Sequence, residues 1–166
     1  QDISYEPSAD VFRFFEQLAY DEEFNSYEAE YVAPEYTWYP ETAFHFHKAG
    51  DLFFAASAGH NKQSHNHNDV GTFSLYYKDR PMIIDVGVGT YTRQTFSDER
   101  YSIWTMQSGY HNVPMINGVM QKDGREYAAK EVVSGKGYFS ADISGAYPSE
   151  AAVLRWIRSY KVRGKT

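Results

Sequence analysis

His65 and His67, with Asn66 between them and Asn68 and Asp69 behind, form the densest group of proton- and metal-handling side chains in this 166-residue chain. In extended backbone, residues two apart point to the same face, so both imidazoles can serve one site. Such a pair suits a metal, or one metal ligand beside one acid/base histidine. Asp85 ends an apolar run and can return a carboxylate to the same end of a sheet. With His111, the pair His67 and Asp85 makes a two-histidine, one-carboxylate set. That composition is ordinary for zinc, whose fourth position goes to water or a substrate group. The plainer alternative is two turn histidines bonded to neighbouring backbone, with His111 a structural histidine near Pro114. The density of polar ligands around His65 and His67 weighs against it.

A second pair, His45 and His47, has the same spacing. Here Phe44 and Phe46 take the alternate face, so an amphipathic strand accounts for the pattern, and no carboxylate sits at a suitable offset. The glycines Gly71, Gly87 and Gly89 read as tight-turn or bulge positions. The Gly87-Val88-Gly89 run is not a phosphate loop, because the Lys-Ser/Thr and the following helix are missing.

These side chains need a frame, and the patterning predicts one built of strands. Residues 8–24 read as a helix, with Ser8 as a possible N-cap and Val11, Phe12, Phe15, Leu18 and Ala19 at helical spacing. Residues 25–40, polar and broken by Pro34 and Pro40, read as a linker or wrapping segment. From Thr42 onward the chain reads as all-β. A hairpin is expected around residues 48–51, and an alternating strand over 72–77 leads into a turn at 78–81. A nearly continuous apolar strand over 82–86 should then be covered on both faces. Another hairpin turns at Gly135-Lys136-Gly137. A last strand over 153–162 puts Trp156, Arg158 and Tyr160 on one face and Arg155, Ile157 and Ser159 on the other; both arginines read as solvated. One segment breaks the regularity: residues 91–111, polar and aromatic, too long for an ordinary connection. It carries Tyr91, Arg93, Arg100, Tyr101, Trp104, Gln107, Tyr110 and His111, a ligand-facing wall, with a short helix expected over 97–107.

Composition narrows the function. The chain has 16 basic against 22 acidic residues, a net charge of −6, which argues against a nucleic-acid binder. The 15 tyrosines and 11 phenylalanines suit strands and also sugar-binding surfaces, where a ring offers an apolar face and a polar tip. With no cysteine, thiolate zinc sites and disulfides are excluded. No apolar run reaches membrane-helix length. Gln1 at the start suggests a piece of a longer protein.

The stretch GHNKQSHNHNDVGTFSLYYKDRPMIIDVGVGTYT, followed by RYSIWTMQSGYHNVPMING, resembles the β-sandwich domain of the heparinase II/III-like polysaccharide lyases. His-x-His, Ile-Asp-x-Gly and Tyr-His-Asn occur in the family's order, and the likeness spans residues 60–160. The resemblance implies a mainly β fold, an antiparallel β-sandwich (part of a super-sandwich) with one short N-terminal helix. Residues 1–41 would be helix and connector and residues 42–166 the sandwich, with the family's N-terminal (α/α) toroid as the missing partner. It implies β-elimination on a uronic-acid-containing, acidic polysaccharide, and periplasmic or secreted placement. His65 would be the catalytic histidine of the sandwich side. His67, Asp85 and His111 would hold a structural zinc ion, while Tyr91, Arg93, Arg100 and Tyr110 bind substrate. Two rivals share the residues: a cupin-like metalloenzyme, although the expected glutamate and Pro-Gly turn are absent, and a non-catalytic carbohydrate-binding sandwich with a structural metal.

Overall fold

A computed structural model describes residues 11–26 and 32–163. They form two units, divided between Ala33 and Pro34. The first contains helix α1, Val11–Ser26. Its helical spacing is as expected, and the Ser8 cap lies outside the described residues. Phe12, Phe15 and Leu18 are exposed.

The second unit holds ten strands: β1 (Tyr36–Tyr39), β2 (Phe44–Ala49), β3 (Leu52–Ser57), β4 (His60–Asn61), β5 (Phe73–Tyr77), β6 (Arg80–Ile83), β7 (Gly124–Ala128), β8 (Lys130–Gly135), β9 (Tyr138–Asp142) and β10 (Ile157–Lys161). All paired strands are antiparallel. They make a five-stranded sheet in the order β1-β2-β3-β5-β6, a three-stranded sheet β10-β9-β8, and the short pair β4-β7. The result is the expected mainly β, sandwich-like fold with one short helix. Strand β1 falls where a linker was expected: Trp38 and Tyr36 pair across from the β2 histidines.

The core lies between the inner faces of the two larger sheets. Phe54 packs 5.0 Å from Tyr160, and Trp38 lies 6.3 Å from Phe139, ring centre to ring centre. Ala141 and Ile143 are fully buried there. Burial at this seam pushes the Tyr160 hydroxyl up to about 12.

The alternation expected of β2 holds, with its buried side now given, and two other strand readings need correction. His45 and His47 point inward and are buried, while Phe44 and Phe46 lie on the outer face, where Phe44, Phe46, Phe53 and Tyr76 form a continuous aromatic row. Alternation was right, but the buried side was the histidine side. The apolar run at 82–86 is a sheet edge: β6 stops at Ile83, and Met82 and Ile84 are exposed. A two-residue turn at Lys78-Asp79, both with φ near +55°, delivers the chain into it. Finally, β10 starts at Ile157, and Arg158 is not solvated. It lies 5.4 Å over the Phe73 ring and donates to the carbonyls of Gly71 and Asn112 at 3.1 and 2.5 Å. Arg155 is the exposed one, paired with Glu131.

Candidate functional site

The segment from Ser64 to Gly71 leaves β4 without regular structure and is pinned from several sides. Asn61, fully buried, donates to the Gln121 Oε1 atom (3.1 Å) and to the Lys122 carbonyl (3.0 Å). Gln121 in turn accepts from the Val70 amide (2.9 Å) and donates to the Val70 carbonyl (2.8 Å). A buried amide satisfied in this way fixes geometry, because any shift strands a polar group in the core. At Gly71, φ is +92° and an added Cβ would fall 2.6 Å from Ile143 Cγ2, so only glycine fits. Gly87 and Gly89 have open space and no left-handed backbone.

His65 is exposed and carries a left-handed backbone, φ +57°, rare for a residue with a side chain. The Tyr91 ring stands edge-on 6.4 Å away. The next residue, Asn66, is held from the wall segment. Its carbonyl accepts from Arg100 Nε (3.3 Å) and Nη2 (2.9 Å), and its side-chain oxygen accepts from the Tyr101 hydroxyl (3.1 Å). Arg100 also donates to the Thr95 carbonyl at 2.9 Å. Its guanidinium therefore positions the histidine segment. Of the other expected substrate residues, Tyr91 stands beside His65, Tyr110 packs on Trp104 at 5.1 Å, and Arg93 precedes a 3-10 turn. The short helix expected over 97–107 is instead a chain of 3-10 turns at Arg100–Ser102, Trp104–Met106 and Ser108–Tyr110.

Behind His65 lies a cluster of carboxylates and imidazoles. Ligand atoms of Asp69, Asp85 and His111 lie within 4.8 Å of one another. Asp85 accepts from His111 Nδ1 (2.7 Å), the Thr72 hydroxyl (2.5 Å) and the Val86 amide (2.8 Å). Burial alone would raise this carboxyl, yet the bonds from His111 and Thr72 hold it below the usual range. Burial pushes Asp69 up to about 6, and the Asp85 charge adds to it. Burial works against the charged form of His111, but the bonded Asp85 carboxylate outweighs it and raises that imidazole. His67 is lowered, first by burial and then by the charges of His111 and Arg100.

The His67 ring lies 5.0 Å from that of His111, outside the tight three-residue set. Asp69, which the sequence reading placed beside the histidines but not among the metal ligands, is thus the third member of this set. Its signal was there: two residues beyond His67, on the same alternation. The arrangement suits a metal by its chemistry. His111 Nε2 faces the Thr105 carbonyl at 3.0 Å. With Nε2 donating to that carbonyl and Nδ1 donating to Asp85, the ring carries both protons here; a cation would take the place of the Nδ1 proton, leaving Nε2 on the carbonyl to hold the ring in position. One imidazole and two carboxylates within this reach, with the His67 ring beside them, are donor types that suit zinc or a similar divalent cation.

In front of this cluster runs a groove of about 700 Å³, lined by His60, Lys62, His65, His67, Asp69 and Arg125 among others. A hollow of about 490 Å³ beside it touches His65, Phe96, Arg100 and Tyr101. A further hollow of about 770 Å³ lies at the hairpin tips near His47, but its Glu35 carboxylate is committed to Lys136. The His65 groove is therefore the candidate site, since it opens onto the carboxylate–imidazole cluster.

The sequence model described as heparinase II/III-like, C-terminal, matches residues 32–159. The chain belongs to the heparinase II/III-like family. No curated protein matches the chain. The heparinase II/III-like match covers β1 to most of β10, so the site residues named above all lie within it. No helix among the described residues is long and apolar enough to cross a membrane.

Proposed function

We propose that this domain forms the sandwich side of a polysaccharide lyase that cleaves uronic-acid-containing polymers by β-elimination. The observation that carries the reading is His65: exposed, held in left-handed backbone at the groove, in a chain of this family. In such an elimination a base removes the C5 proton and the uronate carboxylate is neutralised to stabilise the carbanion. An acid then protonates the departing O4 as the C4–C5 double bond forms. His65 moves a proton at one of its ring nitrogens or hydrogen-bonds the uronate carboxylate. Tyr91 orients its ring. Arg100 acts through Asn66, while Arg93 and Tyr110 serve ligand from the same wall segment. An N-terminal toroid of the same protein supplies the remaining groups, and the protein works in the periplasm or outside the cell.

His67, Asp85 and His111 would hold a zinc ion, with Asp69 next to them. When bound, zinc would supply a fixed positive charge that ties the wall segment to the sheet. This role is architectural: His111 comes from the wall and Asp85 from the end of the sheet. The carbohydrate-binding alternative keeps the same groove and metal without chemistry.

The test measures elimination by the ultraviolet absorbance of the new double bond, in the longer protein with its toroid and in the chain alone. In the longer protein, His65→Ala lowers turnover by roughly 100-fold or more while acidic polymer still binds. The chain alone binds zinc and turns over little. Unchanged turnover in His65→Ala would remove the catalytic role, and binding with no turnover in any form would favour the non-catalytic sandwich.

A further inference from the structure

The groove has a second side that the histidine cluster does not account for. Lys62 and Arg125 line it, both exposed, and among the described residues neither has an ion pair. Lys62 directly follows β4, and Arg125 lies in its partner strand β7. Asn61 of β4 pairs with Gly124 of β7, while His60 pairs with Ala128, so residues 125–127 have no register partner on β4. A bulge of this kind bends the strand and re-aims its side chains. It is built in by Gly124, at φ +138°, where an added Cβ would fall 2.7 Å from a Glu126 carboxylate oxygen.

Below the bulge, Asn61 is locked to Gln121, and Gln121 to Val70. The same buried amides that hold the His65–Asp69 segment therefore hold the strand ends bearing Lys62 and Arg125. Gln63 adds a tie across the rim, donating to the Thr42 carbonyl at 3.2 Å. Opposing charge in the groove comes from Glu41 and from Asp69, and Asp69 belongs to the carboxylate–imidazole cluster. A chain of net charge −6 thus presents two uncommitted cations on rigid supports beside its exposed histidine.

We propose that Lys62 and Arg125 form an anion-holding rim of the His65 groove, taking a carboxylate or sulfate of the acidic polysaccharide at a sugar next to the one facing His65. This rests on the polysaccharide reading above. The rim sets how the polymer lies in the groove, and the two cations contribute binding that weakens with salt.

The experiment is calorimetric titration of the chain, and of a Lys62→Gln/Arg125→Gln double variant, with three oligosaccharides of equal length: an unsulfated oligouronate, a sulfated one and a neutral one. Both residues are exposed, so the double variant keeps the wild-type melting temperature. The wild type is expected to bind the acidic oligosaccharides and not the neutral one. The double variant should bind them roughly tenfold more weakly and with a flatter salt dependence. Equal loss for both acidic ligands assigns the rim to carboxylate; a larger loss for the sulfated one assigns it to sulfate. If the wild type binds acidic ligands and the double variant binds them equally well, the rim is wrong and the polysaccharide reading stands. If the wild-type chain binds no acidic oligosaccharide, the same titrations are made in the longer protein with its toroid, and no binding there removes the polysaccharide reading and the rim with it.

Discussion

The chain carries the same tripeptide pattern twice, His-x-His at 45–47 and again at 65–67, and the fold makes opposite use of them. The first pair lies in regular strand β2, facing the second sheet. His45 is fully buried between Phe54 and Phe139, with Nδ1 bonded to the Ser134 hydroxyl at 2.8 Å. The Ser134 hydroxyl is also 2.9 Å from that of Tyr36. Among the described residues His45 Nε2 and His47 Nδ1 have no hydrogen-bond partner. Nor, among the described residues, is a carboxylate hydrogen-bonded to either ring; Glu35, near enough to His47 to feel its charge, is paired with Lys136. Burial holds His45 down to about 4, with His47 adding to the effect. The second pair lies on irregular backbone at the mouth of a groove, with His65 exposed and His67 beside carboxylates and a third imidazole. Histidine spacing alone therefore says little about function. What separates a packing histidine from a chemical one is a carboxylate within reach and access to solvent, and both follow from where the neighbouring segments cross.

The largest effect should come from breaking the carboxylate side of the contrast. His111→Ala leaves the half-buried carboxylates of Asp69 and Asp85 without the imidazole bonded between them, which should cost about 1.5–3 kcal/mol of stability. Urea unfolding with and without added zinc measures it, and wild-type protein should gain stability from zinc that the variant does not. A loss below 1 kcal/mol would mean that the cluster is not electrostatically coupled.

The buried pair should show itself in acid. The folded His45 titrates well below its ordinary 6.5, so between 6.5 and about 4 the unfolded chain binds more protons than the folded one. This contribution to stability is whole above pH 6.5, falls as the pH drops toward 4, and levels off below that. His45→Phe keeps the ring volume and removes the titration. Thermal melts from pH 7 to pH 4 should then fall less steeply than those of the wild type; an unchanged slope would assign the acid sensitivity elsewhere.

The smallest stability effect belongs to the exposed histidine. His65→Ala should change stability by no more than about 0.5 kcal/mol, and His65→Gly should be neutral or slightly stabilising, because glycine takes the left-handed backbone without strain. Thermal melts of both variants check this. A large loss in either would make His65 a structural residue like His45.

Much of this architecture was legible. Strand positions and the hairpins at 48–51 and 135–137 follow from alternation and turn chemistry. The polar density of 65–69 marked the candidate site, and Asp85 and His111, singled out from the Ile-Asp-x-Gly and Tyr-His-Asn elements, do lie together. What was not legible was sidedness. Alternation in β2 separates histidines from phenylalanines but does not say which set faces the second sheet. The apolar run after Arg80 looks the same whether a strand lies inside a sheet or at its edge. Arg100 and Arg158 were read as solvent- or ligand-facing because a lone arginine carries no sign of the carbonyls it will meet; Asn66 and Gly71 are 34 and 87 residues away from them.

The sequence by itself determined the local and periodic facts: one helix, a run of antiparallel strands, a net acidic chain without thiols, and one segment dense in ligands. Only the tertiary structure decided which histidine pair is buried, that Asp69 joins Asp85 and His111, and that Lys62 and Arg125 share the groove with His65. The physical reason is range. Backbone preference and side-chain alternation act over a few residues, whereas burial, carboxylate–imidazole coupling and the groove itself arise from segments that meet only after the sheets have packed.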